Sequence, residues 1–328
     1  MDRNRLLGIF FVCAAAAGYG SGGLFAHPAY EAGVDWLTVM AWRFLIAAAL
    51  SWGLVALRPA TRAAIRALPR REVVITLLLG AMLVLHSGTY YAGIETVPLA
   101  LAGLITAIYP PLVALLSIFI GRPLQGRRAW IALGLTVAGM VLAVGGIEAT
   151  EMPPISGLLL VILAPSCYAF WIVLAARHSG ETRETTGDDS GQATDALATG
   201  AILLTGTAGA YWIMALAIGN PALPWQVPSS AWPYLFGVAI SAGFVGPQAF
   251  YAGVKRIGGA QAALVSTVEP LYTIVAAGLV LGQVLTLTQW AGAVLIITGV
   301  VLSQTRGRRA GASEAPPLPQ PLARVSDD

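Results

Sequence analysis

The sequence predicts an all-α integral membrane protein: ten transmembrane helices arranged as two inverted five-helix repeats. Three observations predict it. The 328 residues are 57% hydrophobic and only 11% charged, with a mean hydropathy of +0.74. Soluble domains carry about 25% charged residues, so no water-soluble fold of this length hides so much apolar surface. A stretch of the first half is copied in the second. Tyr91-Ala92-Gly93-Ile94-Glu95-Thr96 running on to Tyr109-Pro110 reappears 160 residues later as Tyr251-Ala252-Gly253-Val254-Lys255-Arg256 running on to Glu269-Pro270, with seven of twenty aligned positions identical. Finally, the charges beside the two copies have changed sign, Glu95 in one and Lys255-Arg256 in the other.

A spanning helix needs about 20 mostly apolar residues. Runs of that kind lie at about 6–26, 36–57, 73–94, 98–120, 129–147, 157–176, 196–218, 232–254, 260–282 and 288–304. Helices are the reading because lipid satisfies no open backbone, and runs this long are not barrel strands. The first run follows Arg3 and Arg5 and resembles the start of a signal peptide. Nine more apolar runs follow it, so it reads as a membrane helix. The third run carries His86 and Tyr90 on one face, four residues apart. Pro110 and Pro270 fall in the fourth and ninth, where each predicts a kink by freeing the carbonyl four residues earlier, that of Thr106 or Ser266. Both are hydroxyl residues able to help satisfy a disturbed backbone. Pro165 and Pro247 predict further kinks in the sixth and eighth.

Lysine and arginine set the orientation. With the N-terminus in the cytoplasm, the even-numbered loops and both tails hold eighteen of the nineteen basic residues, and the external loops hold Glu31, Asp35, Glu95, Glu148 and Glu151. Five helices per repeat is an odd number, so the second copy enters from the opposite face; the exchange of Glu95 for Lys255-Arg256 follows. Inverted repeats are an architecture of secondary transporters. The domains expected are residues 1–148 (helices 1–5), 149–305 (helices 6–10) and a disordered cytoplasmic tail, 306–328. The polar linker 177–195 is expected to be a flexible cytoplasmic loop.

Two formally charged side chains sit well inside spans, Arg43 in helix 2 and Glu269 in helix 9, and His86 is the third ionisable group at depth. Each charge costs about 2.5–3.5 kcal/mol at mid-helix on insertion scales, which demands a partner, a wet cavity or neutralisation. At about 1.5 Å per residue, Arg43 lies roughly 10 Å below the outer surface, His86 roughly 20 Å above the inner one, and Glu269 roughly 14 Å from the inner one. These heights place all three beside one polar pathway. The competing reading makes Arg43 a packing device, capping helix carbonyls or paired with Glu269. Tyr109 and Glu269 precede the matched prolines, so each bend presents a polar side chain near mid-membrane; bent helices at equivalent places in inverted halves point to a transport site. Tyr90, Tyr168, Trp171 and Gln248 complete the expected lining, while Trp36, Trp225 and Trp232 read as interface anchors.

No catalytic motif, metal-ligand spacing or cofactor fingerprint is found. Gly18-Tyr19-Gly20-Ser21-Gly22-Gly23 matches a nucleotide-binding pattern literally, but that fingerprint needs a preceding strand. Inside an apolar helix it is a small-residue face for close packing. Cys13 and Cys167 lie in apolar runs. The net charge of +3 is no nucleic-acid signal.

With these residues in view, the chain resembles the EamA family of the drug/metabolite transporter superfamily from Leu6 to Gln304. The resemblance is carried by two five-helix halves, the Ala17-Gly18-Tyr19-Gly20-Ser21 segment, Arg43-Phe44, Tyr91-Ala92-Gly93…Tyr109-Pro110 and Ser266…Glu269-Pro270. The family pattern ends helices 4 and 9 with Gly-Glu; this chain has Gly121-Arg122 and Gly282-Gln283. The resemblance implies a ten-helix carrier with a central cavity between the halves; a bacterial-type inner membrane is the expected location, and the charge placement sets both termini in the cytoplasm. The resemblance also implies alternating access and export of small polar or amphipathic metabolites, often amino acids. The expected partners are a small-molecule substrate and the bilayer, with protons as a candidate coupling ion and no ATPase subunit. The alternative is a membrane-embedded enzyme using Arg43, His86 and Glu269.

Overall fold

Apolar runs punctuated by glycine, proline and short polar turns fold as helices throughout the residues that the computed structural model describes (3–116, 127–145, 152–178, 196–257, 262, 265–266 and 268–304). The principal helices are α1 (Arg3–Glu31), α2 (Trp36–Leu57), α3 (Pro59–Ala67), α4 (Arg70–Gly93), α5 (Leu99–Thr106), α6 (Tyr109–Leu116), α7 (Arg127–Gly145), α8 (Ile155–His178), α9 (Ala196–Ala217), α10 (Trp232–Val238), α11 (Gly246–Ile257), α12 (Val268–Leu281) and α13 (Leu287–Gln304). A π-helical turn, Ala239–Val245, joins α10 to α11. Six segments are long and apolar enough to cross a membrane: Arg3–Glu31, Trp36–Leu57, Arg70–Gly93, Ile155–Leu174, Leu197–Ala217 and Ser229–Val254. Four shorter apolar helices, Leu99–Val113, Trp130–Ala143, Val268–Leu281 and Leu287–Leu302, occupy the places of the other expected spans. The tail 306–328, residues 179–195 of the linker and the Gly121-Arg122 position lie outside the described residues.

The packing repeats itself. α1 packs on α11 as its copy α8 packs on α4, and α7 packs on its own copy, α13. The correspondence extends to single atoms. A Cβ added at Gly93 would stand 2.5 Å from Val161 Cγ2 and 3.2 Å from the Gly157 carbonyl. One added at Gly253 would stand 2.4 Å from Val12 Cγ2 and 3.0 Å from the Gly8 carbonyl. Gly93/Gly253, Gly157/Gly8 and Val161/Val12 are all repeat mates, so each half docks its hinge glycine on the first helix of the other. Gly18 and Gly22 likewise bring α1 against the π-turn and Tyr91: a Cβ at Gly18 would meet the Ser241 carbonyl at 2.9 Å, and one at Gly22 the Tyr91 hydroxyl at 2.3 Å.

The core is built from Ala, Val, Leu and Ile of α1, α2, α5 and α9. The outward faces are as apolar as the core: Leu57, Leu279 and Leu287 are at least 80% exposed. Apolar faces that large need lipid, not water, as their solvent.

Three local features depart from the sequence-based expectation. The fourth span is not one kinked helix. It breaks at Ala107–Ile108, and α6 restarts with Tyr109 and Pro110 in its first turn. Glu269 and Pro270 stand likewise in the first turn of α12, after a turn at Ser266 whose carbonyl accepts the Glu269 N–H at 2.9 Å. A proline costs nothing in a first turn, where its missing N–H has no intrahelical partner. Pro247, where a kink is expected, stands just after the π-turn, where the ladder departs from the α pattern and the Gly246 N–H reaches the Ser241 carbonyl. The loop between the second and third spans contains α3, a short amphipathic helix with Pro59 at its start, packed on α2 and α9.

The loop acidic residues Asp35 and Glu95 have local duties. Asp35 caps α2 by accepting the Thr38 N–H at 3.1 Å, and Glu95 accepts the Trp36 N–H at the same helix end. Burial pushes the Glu95 carboxyl above its ordinary range, and the Trp36 N–H opposes that shift. In the other copy Arg256 donates to the Ala252 carbonyl at 2.7 Å near the end of α11, its guanidinium 4.8 Å from the Phe11 ring. The carboxylate thus meets a helix N-terminus and the guanidinium a helix C-terminus, as helix dipoles favour.

Candidate functional site

The break between α5 and α6 lies beside an aromatic cluster drawn from both halves. Tyr168 of α8 is its centre. Its ring stacks on His86 of α4 with centroids 4.2 Å apart, stacks on Trp171 at 6.0 Å and meets Tyr109 of α6 edge-on at 4.9 Å. His86 Nδ1 lies 3.0 Å from the Ala164 carbonyl, just before Pro165. A carbonyl only accepts, so Nδ1 carries a proton and donates it there. Trp171 Nε1 donates to the Leu79 carbonyl at 2.8 Å. α4 and α8 are therefore tied by two hydrogen bonds and one ring stack, all through residues that the sequence singles out.

Arg43 stands apart from that stack. Its guanidinium lies 4.9 Å from the centroids of both Phe44 and Tyr91. Nη2 reaches the Ala242 carbonyl in the π-turn at 3.4 Å and Nη1 the Met40 sulfur at 3.9 Å, while Nε is buried without a partner. The carbonyl contact is the one expected of a packing device, but it is long; a pairing with Glu269 is not found.

Glu269 lies within electrostatic range of the hydroxyls of Tyr19, Tyr90, Tyr91, Tyr109 and Tyr168, and Arg43 within range of Tyr19, Tyr90, Tyr91 and His86. Tyr19, Tyr90 and Tyr91 thus lie within range of both formal charges. Tyr90 makes an edge-on contact with Tyr91 at 5.4 Å. No hydrogen bond or ring contact among the described residues joins Gln248 to the cluster. The hydroxyl pair at the breaks is unequal: Ser266 Oγ bonds the Ala262 carbonyl at 2.9 Å, whereas Thr106 Oγ1 is buried without a partner. Of the expected anchors, Trp225 is 78% exposed, but Trp232 packs edge-on against Trp42 at 4.7 Å.

Sequence reasoning passed over Tyr19 and Tyr91 as lining groups. The signal was present, since Tyr19 is the repeat mate of Tyr168. The equivalence holds in space as well. Tyr168 lies on His86, and Tyr19 lies on Gly246, the mate of His86, where an added Cβ would be 3.0 Å from the ring.

The EamA-like transporter family model matches residues 6–145 and again residues 155–305. No curated protein matches the chain. A crystal structure of a protein 16% identical in sequence superposes with a TM-score of 0.59, covering 90% of this chain and 96% of that one, which is a likeness of fold. The two family matches together span most of the sequence, and the apolar helices are those of a multi-pass membrane protein. The chain belongs to the EamA-like transporter family and is a membrane transporter of the drug/metabolite type.

Proposed function

We propose that this transporter is a secondary carrier or facilitator of ten spans in two inverted halves, residues 1–148 and 149–305, with both termini cytoplasmic in a bacterial-type inner membrane. It moves small polar or amphipathic metabolites, amino acids above all, outward by rocking one half against the other. The observation that carries this reading is the Tyr168 cluster, in which an aromatic side chain of the second half is wedged between His86 and Tyr109 of the first. A substrate lodged there touches both halves, so their relative movement changes the face from which it is reached. The docking of each hinge glycine on the other half supports the inverted arrangement. Arg43, His86, Tyr90, Tyr109, Tyr168, Trp171 and Glu269 are the pathway residues, joined by Tyr19 and Tyr91. The helix breaks at Pro110 and Pro270 are its flexible points. The test is counterflow of labelled amino acids in proteoliposomes, with and without a pH gradient. Trans-stimulated exchange that Tyr168→Ala abolishes supports the reading, and a wild-type protein that exchanges no solute in the panel rejects it.

A further inference from the structure

Arg43 is a cation with no counter-ion among the described residues. It is the one basic residue among nineteen that lies well inside an apolar run, Arg3, Arg5, Arg70 and Arg71 standing at the ends of theirs, and no carboxylate of a described residue pairs with it. Apart from the Tyr91 hydroxyl beside it, its hydrogen-bond contacts are long. A hydrogen bond from a guanidinium to a carbonyl is ordinarily close to 2.9 Å, yet Nη2 stands 3.4 Å from Ala242 O and Nη1 3.9 Å from the Met40 sulfur, and Nε has no partner at all. The rings of Phe44 and Tyr91, each 4.9 Å away and almost wholly buried, hold the guanidinium in place without neutralising it. A guanidinium is a rigid planar fork that matches a carboxylate through two parallel N–H···O bonds. Here the fork is fixed and half-buried, with the Tyr91 hydroxyl beside it and Nε unpartnered, but with no carboxylate to meet it among the described residues.

We propose that Arg43 is the recognition site for the carboxylate of the transported solute, and that the cargo is a monocarboxylate with an apolar or planar body, amino acids included. This rests on the transporter reading of the same site. One carboxylate is the fitting anion because a single guanidinium faces it: a phosphate dianion would leave surplus negative charge in an apolar span that holds no other lysine or arginine. Phe44 and Tyr91, whose rings flank the guanidinium, supply the apolar surface for the body of the solute.

The test uses the full-length protein in nanodiscs and four probes that share one ring and differ in charge: 3-phenylpropionate, 3-phenylpropionamide, L-phenylalanine and phenethylamine. Binding is read by titration calorimetry, and counterflow of each probe by proteoliposome exchange. The wild type is expected to bind the two carboxylates at least tenfold more tightly than the amide and the amine. Arg43→Gln should bring the acid and the amide within about twofold of each other. Arg43→Lys, which keeps the charge but loses the fork, should retain the preference at reduced strength and serves as the folding control. Amide or amine binding as tight as the acid, an undiminished preference in Arg43→Gln, or no binding of either carboxylate to the wild type would each overturn the proposal. The two levels fail separately. Arg43-dependent carboxylate binding without counterflow removes the transport reading and leaves the anion site. Counterflow of the amine or amide with no acid preference leaves transport and removes the site.

Discussion

The ring of Tyr168 lies against the ring of His86 at 4.2 Å, while its repeat mate Tyr19 lies against Gly246, the mate of His86. The same contact is made twice, once with an imidazole beneath the tyrosine and once with bare backbone. The repeat shares the geometry, and His86 gives one copy an imidazole that the other lacks. Tyr109 and Glu269 differ in the same way before their matched prolines, so the space between the halves is polar on unequal terms.

Tyr168 touches His86, Trp171 and Tyr109, each aromatic contact being worth about 0.5–1.5 kcal/mol beyond burial. No hydrogen bond of its hydroxyl is found among the described residues. Tyr168→Phe should therefore keep exchange within about threefold of the wild type, whereas Tyr168→Ala should reduce it at least tenfold with the protein still monodisperse. Proteoliposome counterflow checks both, and equal loss in the two variants would assign the role to the hydroxyl instead.

The hinge glycines predict a matched pair of defects. A Cβ at Gly93 meets Val161 Cγ2 at 2.5 Å, and its other neighbours stand at 3.2 Å or beyond. Gly93→Ala should cost about 1–3 kcal/mol, the ordinary range for overpacking, and Val161→Ala should recover most of that loss by removing the clashing methyl. Gly253→Ala should be relieved less by Val12→Ala, because the Gly8 carbonyl also lies at 3.0 Å and backbone cannot withdraw. A double-mutant cycle on thermal unfolding reads both couplings.

How much was legible beforehand follows from the type of signal. Ten apolar runs and the charge placement are written in composition, and the repeat is written in Tyr91-Ala92-Gly93 and its copy. Four of the expected lining residues, His86, Tyr109, Tyr168 and Trp171, meet in one cluster, because helix periodicity and proline position carry that information. The break at Ala107–Ile108 was read as a kink because a proline looks the same to a pattern search at a bend or at a restart. α3 was missed because nine residues cannot register as a span, although Pro59 opening an Ala- and Arg-rich segment is a helix-start signal. Tyr19 required applying the repeat to side chains rather than to topology.

Gln283 illustrates a departure whose meaning only packing reveals. It stands where the family pattern has Glu, beside Gly282 at φ +68°, and its Oε1 accepts the Ala100 N–H at 3.1 Å. The end of α12 thereby caps the start of α5 in the other half. Gln283→Ala should lower thermal stability by about 1 kcal/mol, the usual worth of such a bond. Gln283→Glu should match or exceed the wild type, since a carboxylate at a helix N-terminus gains from the dipole. Dye-monitored unfolding of the purified variants decides. A Gln283→Glu protein less stable than Gln283→Ala would mean that the contact does not act as a cap.

Glu269 gives the sharpest test of coupling. It opens α12, its backbone is engaged by the Ser266 carbonyl and the Thr273 hydroxyl at 2.9 and 3.0 Å, and its carboxyl lies within electrostatic range of several tyrosine hydroxyls with no cation paired to it among the described residues. A carboxylate in that setting is stabilised by taking up a proton or by meeting a positive group on the solute, whereas Gln offers the same shape with no charge to titrate. If protons are the coupling ion, Glu269→Gln should exchange solute across a membrane without a pH gradient at near wild-type rate. It should also lose the acceleration that a gradient gives the wild type. Counterflow measured at several pH values, with and without the gradient, separates the two effects. Wild-type response to the gradient in Glu269→Gln would remove the proton from the mechanism, and loss of exchange under every condition would make Glu269 a substrate contact instead.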